Sequence, residues 1–364
     1  MKVSTTRLRA SLFPVLQCAI AAGLAWWVAN DLLHHPNPFF APMAAVISLG
    51  LSIGARLRRS MELVAGVAVG IGVGDLLISQ IGSGAWQIML VVALAMATAI
   101  FVDGGPIIPM QAATSAVLVA TLIPPDVGGG PDRMIDALIG GMVGVLVVAF
   151  VPSHPVLRAR QSAAGILGTA AEVLQMVADG LIANDPEPIV AALRKARGTQ
   201  AQIDGLRAQI VGGQEVSLVS PMYWRSRPRL ERLSAAADPI DNAMRNIRVL
   251  ARRSLTLVQD DEILDPRLVD EIERLAHAVD VLRRMALADP GQQPDRAEAA
   301  RVLRSVAAAA KPEMVKGAGI SATVVFAQIR SLIVDLLQVA GLSRISAIAT
   351  LPPTVPHPAY PPEL

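Results

Sequence analysis

Cysteine is nearly missing from this chain of 364 residues, which holds only Cys18. A single cysteine excludes an intramolecular disulfide and a thiolate metal cluster, and within an apolar run it reads as a small buried side chain. Charge is missing from the first part of the chain. Up to Pro152 there are seven Lys and Arg and seven Asp and Glu, against 25 and 23 in the 212 residues that follow. Catalytic constellations are missing as well: no nucleophile stands beside a partnered base, no carboxylates pair at a reactive spacing, and no His or Cys ligand set occurs. These absences exclude an enzyme and predict neither metal nor cofactor. The run GVAVGIGVGD (66–75) resembles a phosphate-cradling turn, but Asp75 stands where the third glycine of GxGxxG belongs and no lysine follows. An acid there would repel a phosphate, so nucleotide binding is set aside.

What is present is apolar surface. The chain is 53% hydrophobic with a mean hydropathy of +0.49, too apolar for an ordinary soluble enzyme of this size. Charge-free windows run over 10–30, 32–55, 76–102, 104–125 and 137–157, and a sixth, 61–81, is interrupted only by Glu62 and Asp75. Each holds the roughly 20 residues that cross a hydrocarbon core about 30 Å thick. Turn chemistry separates them at HHPNP (34–38), GSG (82–84), DGGP (103–106) and PPDVGGGP (124–131). The reading is six membrane spans in residues 1–152. The first is a retained helix with Trp26 and Trp27 at an interface, because its run is too long for a secretory leader.

Basic residues then orient the spans. Lys2, Arg7, Arg9, Arg56, Arg58, Arg59, Arg158 and Arg160 fall on one side and only Arg133 on the other, which places both termini in the cytoplasm of a cell bounded by this inner (plasma) membrane. Basic residues at the cytoplasmic leaflet account for the pI near 9.0 without nucleic-acid binding. Arg56, Arg58 and Arg59 are topology determinants first, and second an anion-collecting mouth.

Gly66, Gly70 and Gly74 recur every four residues, and Gly140, Gly141 and Gly144 repeat the device in the sixth span; such stripes let membrane helices approach closely. Asp75 lies on another stripe, roughly 20 Å along its helix from Glu62. An acid at that depth is costly unless it faces protein or water. Structurally it is either hydrogen-bonded to a neighbouring helix or snorkels outward; functionally it carries a proton or gates a substrate. Gln111, like Gln17 and Gln87, lines a path or bonds across helices. His34 and His35 read as a solvated outer loop, since neighbours on an extended segment point apart and make a poor metal site.

From residue 153 to about 350 the pattern is that of an antiparallel helical bundle, with apolar rows such as Leu167, Ala170, Leu174, Val177, Leu181 and another from Ile189 to Ile210. Asp-Pro pairs at 185–186, 238–239, 265–266 and 289–290 break it, and the second of these starts a turn or kinks a long helix. The apolar segment 317–342 is interrupted by Arg330 and Asp335 and is read as a buried bundle helix. The tail 351–364 is proline-rich and is expected to be disordered or extended.

The fold class is thus all-α: a six-helix transmembrane domain followed by a cytoplasmic bundle. FFAPMAAVISLGLSIG, the basic loop ARLRRS and the glycine-rich ELVAGVAVGIGVGD, followed by a helical domain, resemble the fusaric acid resistance or aromatic acid exporter family. The resemblance implies export of small organic anions, typically aromatic carboxylates, with relatives in plants forming dimeric anion channels. Larger members carry two membrane units, so a homodimer of this chain restores the set, and close contacts at Gly66, Gly70 and Gly74 are expected to build it. Glu62 stands where the family often has a basic residue. The competing reading is a non-transporting membrane scaffold whose bundle recruits a protein partner.

Overall fold

The computed structural model describes residues 2–49, 56–102, 105, 107–122, 130–150, 154–262, 264–288 and 296–360. Asp103, the Asp289-Pro290 pair, most of the 124–131 turn and the side chains of Arg56, Arg58 and Arg59 lie outside them. The described residues are predominantly helical, with no strand among them. They separate into two compact units: residues 1–153 with 211–225, and residues 154–210 with 226–364.

The first unit holds helices α1 (Lys2–Trp27), α2 (Phe40–Leu49), α3 (Arg56–Ile81), α4 (Ala85–Val102), α5 (Ile107–Leu122) and α6 (Gly130–Phe150). A π-helical turn, Val28–Leu32, continues α1. Small residues every fourth position face inward on nearly all of these helices. Ala21 and Ala25 of α1 and Ala29 of the π-helical turn meet Ala41 and Ala45 of α2, and Val91, Ala95 and Ala99 of α4 meet Ala112, Ala116 and Ala120 of α5. A third cluster, Phe40, Ala44, Val67, Ile71, Val119 and Ala137, joins α2, α3, α5 and α6. In hydrocarbon there is no hydrophobic drive between helices, so close van der Waals contact across small side chains has to supply the association.

The glycines show how close that contact is. A Cβ placed on Gly70 would strike the Ala112 carbonyl and lie 2.8 Å from its Cα, and one on Gly66 would lie 2.8 Å from the Ile108 carbonyl oxygen. Gly74 faces Ala116 and Val119. The expected stripe does bring two helices together, but its partner is α5 of the same chain. It is therefore not a free surface for a second copy. Gly140 and Gly144 press on Ala41, Ala45 and Ser48 of α2 in the same way.

These registers also give directions. Positions 66, 70 and 74 meet 108, 112 and 116 in rising order, so α3 and α5 run parallel, as do α2 and α6. Gly72 faces Met134 whereas Val64 faces Gly141, so α3 and α6 run antiparallel. Alternating direction is what successive crossings of one slab require.

Length and composition alone give a different set of candidate spans from the six expected. Among the described residues five segments qualify: Val15–Leu32, Val64–Ile81 and Ala85–Val102 in the first unit, and Pro155–Ala183 and Ile320–Val339 in the second. Phe40–Leu49 and Ile108–Thr121 are apolar but shorter. The sixth helix carries Asp132, Arg133 and Asp136 in its first two turns, which leaves its charge-free stretch to begin at Ala137.

The second unit is a bundle of α7 (Pro155–Ala183), α8 (Pro186–Arg197), the first half of α9 (Gln200–Val219), α10 (Arg227–Gln259), α11 (Pro266–Leu287), α12 (Arg296–Ala309), α13 (Ile320–Val339) and α14 (Arg344–Ala349). They share one core in which the large aliphatics Leu174, Ile247, Leu275, Leu336 and Leu337 are fully buried. Asp185 and Asp265 cap their helices, accepting from the Glu187 and Arg267 amides at 3.0 and 2.9 Å. The second Asp-Pro pair behaves otherwise, since Pro239 lies inside the continuous α10. The apolar row from Ile189 to Ile210, expected to be unbroken, is divided by a turn at Gly198–Thr199. Nor is the tail free over its described part: Leu351 is buried and the Pro352 carbonyl accepts from Arg330 Nη2 at 2.7 Å.

Candidate functional site

Asp75 is not alone. Two and a half turns into α3 past Gly66, it receives a charged hydrogen bond from Arg133 Nη1 in the first turn of α6, and both side chains are largely buried. The sequence had set Arg133 aside as the exception to the basic asymmetry. Its position follows from the antiparallel packing of α3 on α6, which brings the end of one helix to the start of the other. Of the two structural options for Asp75, the interhelical bond is the one realised. Pairing removes most of the cost of an isolated charge in an apolar slab, provided both partners stay.

A second polar pair stands on the neighbouring stripe of α6. Asp132 and Asp136 are one turn apart and face the segment that follows the π-helical turn. His35 Nδ1 is hydrogen-bonded to Asp136 Oδ1 at 2.7 Å, and its Nε2 lies 4.0 Å from Asp132 Oδ1. The Asp136 carboxylate is nearly inaccessible and His35 half-buried, so His35 is not the solvated loop residue expected, whereas His34 is exposed. The backbone explains the difference. The π-turn sends the His35 amide to the Ala29 carbonyl at 3.0 Å, and His34 and Asn37 take left-handed φ of 58° and 52°, which folds the segment back over α6. In sequence, 101 positions separate His35 from Asp136.

Gln111 stands elsewhere. Its Cβ would lie 2.9 Å from a Cβ on Gly66, at the α3–α5 seam, nine residues and roughly 14 Å of helix from Asp75. Arg56, Arg58 and Arg59 open α3, so their backbone sits at the end opposite Asp75, roughly 24–29 Å away by helix rise. The proposed path residues thus mark two ends of one helix and a point between.

The arrangement holds five ionisable groups, Asp75, Arg133, His35, Asp132 and Asp136, on three elements among apolar helices. A guanidinium is a bidentate host for carboxylates, and imidazole is the group that changes charge near neutral pH. The site therefore sets one guanidinium and one imidazole against three carboxyl groups.

Helices that carry large apolar side chains outward around a small-residue interior, with a buried ionic cluster inside, define an integral membrane protein of the helical class. Residues 24–147 match the family described as fusaric acid resistance protein-like. An uncharacterized protein of Corynebacterium glutamicum is 44% identical over 362 residues, covering 98% of this chain and 92% of that one. A Mycobacterium tuberculosis protein named "Putative arylamide transporter" is 31% identical over 259 residues, covering 68% and 71%, and its Mycobacterium bovis counterpart matches equally. The chain belongs to the fusaric acid resistance protein-like family.

Proposed function

We propose that this protein exports small organic anions, aromatic carboxylates foremost, across the plasma membrane as a homodimer, with six spans in residues 1–152 and both termini in the cytoplasm. The observation that carries the reading is the Asp75–Arg133 pair, an ionic contact retained between two apolar helices in spite of its desolvation cost. The family and the name of the mycobacterial relative support transport of an aromatic compound. The alternation of helix directions supports six crossings, and the eight basic residues on one side support the orientation.

Exchange at Arg133 is the mechanism proposed. When Asp75 takes a proton, its ion pair with Arg133 is lost, and the guanidinium can accept a substrate carboxylate in its place; deprotonation restores the pair and expels the anion. Arg56, Arg58 and Arg59 at the opposite end of α3 gather anions at the cytoplasmic mouth. The test is flux of benzoate, salicylate and acetanilide in proteoliposomes, with and without a proton gradient. Asp75→Asn removes one counter-charge from Arg133, so loss of flux in that variant alone does not separate transport from misfolding. Asp75→Asn/Arg133→Gln removes both charges; it should recover assembly but not flux. Full flux in the double variant would reduce the pair to a structural contact. No flux of any of the three compounds in the wild type would favour the scaffold.

A further inference from the structure

The bundle contains a groove of its own. It has a volume of about 430 Å³ and is walled by α10, α13, α14 and the start of the tail, all within the second unit. That size falls in the range of small-molecule sites. Its lining combines the apolar Val334, Ile348 and Leu351 with the basic Arg245, Arg330 and Arg344.

The state of these charges is informative. Arg245 is engaged by Asp241, at 2.8 Å from Nη2. Arg330 is half-buried, stacks on Phe326 with its guanidinium carbon 5.6 Å from the ring centroid, and gives its two Nη groups to the carbonyls of Ala310 and Pro352. Those partners are neutral, and among the described residues no carboxylate lies within 4.0 Å of it. Burial accordingly pulls its pKa down. Arg344 is exposed and has no ion pair among the described residues. The one acid in the lining, Asp335, is buried, accepts from Asn246 Nδ2 at 2.7 Å, and is pushed up to about 6 by burial. Of the three guanidiniums, Arg245 is paired with Asp241, whereas Arg330 and Arg344 have no carboxylate within 4.0 Å among the described residues, and Asp335, the one acid of the lining, feels the Arg344 charge from farther off.

We infer that this groove is a binding site for a small organic carboxylate with an apolar frame, its anionic end between Arg330 and Arg344 and its frame against Val334, Ile348 and Leu351. Charge-assisted contacts to guanidinium supply the recognition, and the apolar wall selects against bare inorganic anions. The inference rests on the groove alone and stands whether or not the membrane unit moves carboxylates.

A local readout keeps the two apart. In full-length protein carrying Cys18→Ser and Ile348→Cys, the only thiol lies in the groove wall, and its modification by a maleimide is timed with increasing benzoate, benzamide or inorganic phosphate. Benzoate should slow the reaction several-fold and saturably, while benzamide and phosphate should leave it unchanged. Arg344→Gln, which breaks no hydrogen bond or ion pair of the structure, should raise the half-protecting benzoate concentration about tenfold. Arg330→Met tests the deeper cation but also frees two carbonyls, so Arg344→Gln decides if that variant misfolds. Equal protection by benzamide, protection by phosphate alone, no protection at all, or undiminished protection in Arg344→Gln would each overturn the site. Unchanged protection is expected in Asp75→Asn/Arg133→Gln, the variant that should recover assembly, and its loss there would also count against the groove.

Discussion

Two helices of nearly equal apolarity have opposite architectures. The best window of α4 has a mean hydropathy of 2.2 and that of α13 1.7, and both are long enough to cross a bilayer. Yet only 17% of the α4 window is buried against 61% of α13. What differs is the size of the side chain that faces inward. In α4 the buried residues are Val91, Ala95 and Ala99, while Met89, Ile100 and Phe101 point away, Phe101 with 93% of its surface exposed. In α13 the large residues Ile329, Leu332, Ile333, Leu336 and Leu337 are all within the core. Water drives large aliphatics inward, whereas lipid is indifferent to them and leaves only close packing to be gained. Hydropathy counts apolar residues; the solvent is told by which ones are hidden.

The largest expected effect breaks this contrast directly. Leu336→Ala should leave a cavity in the bundle core and cost about 2–5 kcal/mol in thermal or denaturant unfolding of the purified protein. Phe101→Ala in the first unit removes a larger side chain but should change stability in detergent by less than about 0.5 kcal/mol. Comparable losses at the two positions would mean that α4 is covered by something other than lipid or detergent.

Buried acids sharpen it next. Asp75 in the first unit has Arg133, but Glu271 in the bundle is almost fully buried with Oε1 unpaired. Burial pushes the Glu271 carboxyl from 4.5 to about 7, outweighing the opposing pull of Arg274. The folded state therefore keeps a proton that the unfolded chain has lost, and stability falls as pH rises from about 4.5 to 7. Glu271→Gln removes that penalty, on the order of 3 kcal/mol above pH 7, and the gain should vanish near pH 4.5. A gain independent of pH would show that the carboxyl is not the titrating group.

Glycines give a smaller contrast of opposite sign. Gly70→Ala forces its Cβ against the Ala112 backbone and should cost about 1–3 kcal/mol or yield aggregated material in detergent. Gly165 of α7 has nothing within 4 Å of an added Cβ, so Gly165→Ala should stabilise the bundle by about 0.5–1 kcal/mol. A change of similar size concerns one bundle helix end: Asp185→Ala removes the cap on α8 and should cost about 1 kcal/mol, read as a lowered unfolding midpoint.

Much of this was legible in the chain. Asp75 stood out because a charge in a long apolar run has few reasons to be there, and the glycine spacing announced close contacts. The alanine stripes at 21, 25, 29 and 112, 116, 120 carried the same signal but are easily passed over, because alanine is common in any helix. Partners were not legible. Arg133 lies 58 positions from Asp75, His35 lies 101 from Asp136, and neither distance leaves a periodic trace. The parallel pairing of α3 with α5, which uses the glycine stripe within one chain, could equally have been a contact between two chains.

By itself the sequence determined that the protein is all-helical, where most helices break, and that charge is concentrated after Pro152, because backbone propensity, proline and the apolar periods are local properties. Only the tertiary structure decided which apolar helix hides its large residues, which acid meets which base, and which side of each glycine is occupied. Those outcomes depend on direction and register between helices far apart in the chain. Small residues permit many such registers, and only the packing of all six neighbours together chooses one.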